Sequence, residues 1–219
     1  MRSLWLAALL LLAACGADRQ ARQDPRLVRA AGEGDAEEVA RLLGDGADVD
    51  SRDAAGRTPV TAAVYGGHPD VVRLLIDKGA DVDLQDDTRA NALLAVGETG
   101  NVEVLREVLR AEPDLTRTNR FGGTALIPAA DRGNVEVVRE LVRTEIDIDH
   151  VNDLGWTALL EAVILGEGGE PHQEIVRILV EAGASVDLPD GDGVTPLQHA
   201  RRRGFDEIAQ ALEKADAGG

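Results

Sequence analysis

"DAAGRTPVTAAVYGGHPDVVRLLIDKGADVDLQ", Asp53 to Gln85, decides the fold because it returns. Thirty-three residues later comes "DDTRANALLAVGETGNVEVLREVLRAEPDLTRT", Asp86 to Thr118, and then "NRFGGTALIPAADRGNVEVVRELVRTEIDIDHV", Asn119 to Val151. A further copy, Asn152 to Pro189, is five residues longer, and the last, from Asp190, reads "DGDGVTPLQHARRRGFDEIAQALEKA". Upstream, residues 25–52 lack the opening turn but match the rest, which makes six units. A period of this length marks a stacked array, in which no unit buries its apolar face alone.

Each copy reads as two helices followed by a turn outward. Thr58 and Thr195 are placed to cap a first helix, with Pro59 and Pro196 in its first turn, where the missing N–H costs nothing. Ala62, Ala63, Ala129 and Ala162 keep that helix narrow so that neighbours approach closely. Gly67, Gly100 and Gly133 are expected to end it at positive φ. His68, Asn101 and Asn134 are expected to cap the second helix, and Asp35 with Glu38 forms a capping-box pattern. Val71, Val72, Leu74 and Leu75 mark the face of that helix buried against the next unit.

These units resemble the ankyrin repeat family over residues 25–215. The likeness rests on Thr58-Pro59 and Thr195-Pro196, on the mid-repeat glycines Gly67, Gly100, Gly133 and Gly204, and on "GADVD", which occurs twice. It implies an all-α fold: an ankyrin-repeat solenoid of about six helix–turn–helix units with β-hairpin-like fingers. The repeats are 25–52, 53–85, 86–118, 119–151, 152–189 and 190–215, with 216–219 read as a flexible tail. The polar residues Arg26, Arg29, Glu33, Glu37 and Arg41 in the first unit, and Arg201, Arg202, Arg203, Glu207 and Glu213 in the last, suit end caps. One family feature is missing. The histidine that follows Thr-Pro-Leu is replaced by Thr61, Leu94, Ile127, Leu160 and Gln198, so its bond to the capping threonine is lost.

The chain opens MRSLWLAALLLLAACG, with Arg2 ahead of eleven uncharged residues, Leu4 to Ala14. A bilayer span needs ~20 apolar residues, so this run suits a secretory signal instead. Leu12-Ala13-Ala14-Cys15 is similar to the bacterial lipobox, Leu-small-small-Cys. That resemblance implies cleavage after a 1–14 signal peptide, lipidation of Cys15 and a 15–24 tether. The expected location is the envelope, facing the periplasm, at the outer membrane in a Gram-negative source. Cys15 is the only cysteine, so no intramolecular disulfide is available.

Without residues 1–14 the formal charge moves from −17 to −18, which disfavours nucleic acid and anionic lipid and favours a basic protein partner. The lipid anchor is the one expected membrane contact, and a monomer is the expected state. Hydrophobic residues at 44% suffice for folding, while aromatics at 2% suit thin layers of Ala, Val and Leu. "DGDG", 190–193, lacks the terminal acid of a calcium loop, and His68, His150, His172 and His199 fall in different repeats. Ser3, Ser51 and Ser185 sit in no nucleophile elbow, and no phosphate loop is present. No catalytic residues, metal or cofactor are therefore expected, and the chain is read as non-enzymatic.

The family holds partners at finger tips and on the exposed side of the first helices. By alignment the tips are Ala54, Ala55 and Arg57; Asp87, Thr88 and Ala90; Arg120, Phe121 and Gly123; Asp153, Leu154 and Trp156. Aromatics and arginines anchor interfaces, so Arg57, Tyr65, Arg120, Phe121, Leu154 and Trp156 form the expected contact set, with Phe121 and Trp156 side by side. "EGGEPHQ", 167–173, is expected to lengthen the inter-helix turn of the fifth unit. The whole chain resembles small bacterial envelope ankyrin proteins, some of which are associated with catalase and peroxide resistance. The expected role is a protein-binding scaffold supporting peroxide-stress resistance; the alternative is an inhibitor or immunity protein masking a periplasmic toxin or hydrolase.

Overall fold

The structure, a computed structural model, describes residues 24–217. These form twelve helices in six pairs: α1 Pro25–Glu33 and α2 Ala36–Gly44; α3 Pro59–Gly66 and α4 Pro69–Asp77; α5 Ala92–Thr99 and α6 Val102–Leu109; α7 Leu126–Asp131 and α8 Val135–Leu141; α9 Ala158–Ile164 and α10 Glu170–Glu181; α11 Pro196–Arg203 and α12 Asp206–Asp216. First helices pack in a row, α1 on α3 through to α9 on α11, and second helices pack in a parallel row from α2 to α12. This is the expected solenoid. Its core runs continuously between the rows and consists almost wholly of Ala, Val, Leu and Ile.

Sequence dictates most of the helix ends. Thr58 Oγ1 accepts from Thr61 N–H, Asn91 Oδ1 from Leu94 N–H and Thr157 Oγ1 from Leu160 N–H. Thr195 and Gln198 form a complete capping box. Asp35 accepts from Glu38 N–H, but Glu38 turns to Arg41 rather than back to the cap, so the expected box is only half made. Gly67 and Gly100 close α3 and α5 in the left-handed region, whereas α7 stops two residues before Gly133.

Two expected caps do other work. His68 and Asn134 stand at the N-cap positions of α4 and α8 without capping them. Instead His68 Nε2 donates to Gly32 O at 3.2 Å, and Asn134 Nδ2 donates to Gly97 O at 2.9 Å. Each satisfies a carbonyl at the C-terminal end of the preceding first helix, which would otherwise lack a partner. His172 does the same for Asp131 O at 3.0 Å. It does so from inside α10, because the 167–173 insertion becomes the opening turn of a longer helix rather than a loop alone. A lost family hydrogen bond also leaves a trace: Thr124 Oγ1 and Asn91 Nδ2 are buried without partners, while Thr58 finds Thr61 Oγ1 at 3.1 Å.

Among the described residues the fingers form no β-strand, and each is a closed turn built the same way. The base residue, Asp53, Asp86, Asn119, Asn152 or Asp190, accepts through one side-chain oxygen from the N–H groups two and four residues on. Its own N–H donates to the carbonyl four residues on. The turn needs positive φ at its third residue after the base, supplied by Gly56, Gly122, Gly155 and Gly193; the second finger puts Arg89 there, at φ 63°. That costs about 1 kcal/mol against glycine. Across the outer row, Arg73–Glu107, Arg106–Glu140 and Arg139–Glu174 tie successive second helices at 2.8–2.9 Å.

Candidate protein-binding surface

The finger geometry decides which tip residues face solvent. In each finger the residue four after the base is tied to it twice, giving its N–H to the base side chain and accepting the base N–H at its own carbonyl. At that position Ala90 and Gly123 are buried, Trp156 is half-buried and Arg57 is exposed. The residue two after the base projects outward. Phe121 and Leu154 hold that position in adjacent fingers and are 52% and 55% exposed.

The two fingers that carry Phe121 and Leu154 are tied to each other by hydrogen bonds. Asp153 N–H donates to Phe121 O at 3.0 Å, and His150 Nε2 donates to Gly122 O at 2.7 Å. Both side chains line a groove of about 230 Å³ that continues down between α7 and α9, past Ile127, Pro128 and Leu165. Trp156 does not line it, so the expected pairing of Phe121 with Trp156 is replaced by Phe121 with Leu154. Arg120 lies over the Phe121 ring, its guanidinium carbon 4.8 Å from the centroid.

Arg57 and Tyr65 belong to a second hollow two repeats away, between α1 and α3. Arg57 is held by Asp53 at 2.8 Å. Tyr65 donates its hydroxyl to Glu98 Oε2 at 3.1 Å, and burial together with the Glu98 charge pushes its ionisation above the ordinary tyrosine range. Glu98 also lines the first groove, so it joins the two areas along the inner face.

One residue was missed from sequence. Glu161 lies in the Phe121–Leu154 groove and is 5% exposed. Its column in the repeats otherwise reads Ala62, Ala95, Pro128 and His199, so a carboxylate here stands out only when the copies are aligned. Asn152 Nδ2 donates to Glu161 Oε1 at 2.8 Å while Asn152 Oδ1 holds the finger. The equivalent pair in the last unit is Asp190 with His199, also nine residues apart and 2.7 Å. Burial, and then the charge of Asp131, pushes the Glu161 carboxyl up to about 7; the Asn152 bond opposes them weakly.

Cys15 lies outside the described residues. No helix among the described residues is long and apolar enough to cross a membrane, and no three of their His, Cys, Asp and Glu side chains are grouped to hold a metal ion.

Comparisons with known proteins agree with the architecture. The family model described as "Ankyrin repeats (3 copies)" matches residues 4–86, 27–115, 92–190 and 147–218. The putative ankyrin repeat protein YahD of Escherichia coli (strain K12) is 54% identical over 57 residues, 26% of this chain and 28% of that protein. An ankyrin repeat domain (ABAYE2397) from Acinetobacter baumannii AYE superposes with a TM-score of 0.83 at 44% identity, covering 88% of this chain and 99% of that one. The ankyrin repeat protein EF0377 gives 0.82 at 39% identity, covering 86% and 96%.

Proposed function

We propose, since this chain belongs to the ankyrin-repeat family, that its protein-binding scaffold captures a partner in the Phe121–Leu154 groove and that Cys15 anchors it in the bacterial envelope. The observation that carries the groove is the exposure of two large apolar side chains at adjacent finger tips of a chain with four aromatics beyond residue 14. Exposed apolar clusters of this kind mark interaction sites. The tips rest on rigid turns, so little order has to be gained on binding. A photo-crosslinking residue at position 120 should capture a partner that one at Arg73, on the outer row, does not. Against that partner, Phe121→Ala with Leu154→Ala should weaken binding by at least ~2 kcal/mol, as a hot-spot pair does. Equal affinity of the variant and the unaltered chain would move the site elsewhere.

The anchor rests on Leu12-Ala13-Ala14-Cys15. Two or three acyl chains hold a protein firmly where one, at ~0.8 kcal/mol per buried methylene, holds it marginally. Radiolabelled palmitate should mark the chain and not Cys15→Ser; label on the serine variant would end this reading. A role in peroxide-stress resistance rests on the resemblance to envelope ankyrin proteins alone. The second reading, an inhibitor or immunity protein masking a periplasmic toxin or hydrolase, draws on the charge of −18 that the chain carries without residues 1–14, which would steer a basic toxin.

A further inference from the structure

We infer that the Phe121–Leu154 groove receives a lysine or arginine side chain of the partner protein, with the aliphatic stem along the apolar walls and the cation against Glu161. The inference rests on the protein-binding reading of this groove and adds the chemistry of its occupant.

Three observations carry it. The first is an unspent acceptor. Glu161 is nine-tenths buried, lines the groove, and receives one hydrogen bond, at Oε1 from Asn152; among the described residues nothing donates to Oε2. A buried carboxylate is costly unless it is paired, and in three other copies a small apolar residue, Ala62, Ala95 or Pro128, fills this place. The second is the sign of the surroundings. Asp131 and Glu98 line the same groove, and its one lining cation is Arg132. Arg132 is spent on Asp131, 3.5 Å away, with its side chain 66% exposed. The third is shape. Ile127, Pro128, Leu154 and Leu165 offer apolar lining that suits a methylene stem, and Glu161, with Asp131 and Glu98, lines the same groove for its charged end. At about 230 Å³ the groove is smaller than the ~300–1,000 Å³ usual for small-molecule sites. It suits one side chain better than a free ligand.

The test uses the full chain in detergent, with the methyl groups of Ile127, Leu154 and Leu165 as NMR reporters. The probes are Ac-Gly-Arg-Gly-NH2 and its citrulline counterpart, which keeps the shape of arginine and lacks its charge. The arginine peptide should shift the three reporters saturably, and at least tenfold more tightly than the citrulline peptide. Glu161→Gln, which keeps an acceptor for Asn152, should abolish that preference while its melting curve stays cooperative. Equal binding of the two peptides, or an unchanged preference in Glu161→Gln, overturns the inference. The protein-binding reading is judged separately with the crosslinked partner. If Phe121→Ala with Leu154→Ala weakens its capture and Glu161→Gln does not, the groove binds protein but not through a cation.

Discussion

Leu75→Ala should lower the stability of the array by about 2–5 kcal/mol, the range for a buried leucine emptied to alanine. Leu75 is fully buried on α4, which is packed between α2 and α6. The lost methyls cannot be replaced by neighbours, because the surrounding core holds small, branched residues fixed by their own helices rather than large flexible ones. Since each unit touches only its neighbours, the loss falls on one junction instead of a shared centre. Hydrogen exchange should therefore accelerate first in α4 and the helices beside it, ahead of α1 and α12. Leu165→Ala is the control: half-exposed at the groove edge, it should change stability by less than about 0.5 kcal/mol. A loss that small for Leu75, or exchange rising uniformly along the chain, would contradict nearest-neighbour stacking.

The residues that were legible in sequence are those whose partners lie within their own unit. Thr58, Thr195 and Asn101 cap helices that begin at the next residue, so spacing alone predicts the bond. The period itself was legible because every unit solves the same burial problem with the same pattern. His68 and Asn134 were misread because their partners, Gly32 O and Gly97 O, lie 36 and 37 residues upstream in the neighbouring unit. Local spacing suggests a cap, and stacking offers a better acceptor. Trp156, expected beside Phe121, is half-buried and does not line the groove, where Leu154 of the same finger stands instead. Glu161 passed unnoticed because a glutamate on a helix is ordinary. Only the column Ala62, Ala95, Pro128, Glu161, His199 marks it as a carboxylate among other residue types, and only the fold shows that Asn152 in the finger base answers it.

The burial of Glu161, and then the charge of Asp131, makes stability fall as pH rises from about 4.5 towards 7. Glu161 has a folded pKa near 7 against an ordinary 4.5, so between those values the unfolded chain has released a proton that the folded chain retains. Unfolding is then favoured progressively as pH increases, and the contribution is complete above about pH 7. The span corresponds to roughly 3 kcal/mol as an upper figure, at 1.36 kcal/mol per pKa unit. Carboxylates held low by hydrogen bonds act on the other side. Glu107, held by Arg73, and Glu174, held by Arg139, stabilise the fold above their unfolded pKa and lose that contribution only as pH falls through their folded values. Asp131 and Glu98 line the same groove as Glu161, and Arg132 lies 3.5 Å from Asp131. The denaturation midpoint should therefore peak near pH 5 and decline towards pH 8. In Glu161→Gln the decline should flatten, leaving the variant more stable than the unaltered chain at pH 8 by up to about 3 kcal/mol and nearly equal to it at pH 4. Parallel profiles for the two proteins would mean that Glu161 ionises freely in the fold and that its burial carries no strain. A gain at pH 8 would show that this position gives up stability that Ala62 and Ala95 keep in their units, the trade expected where a residue is held for binding rather than packing.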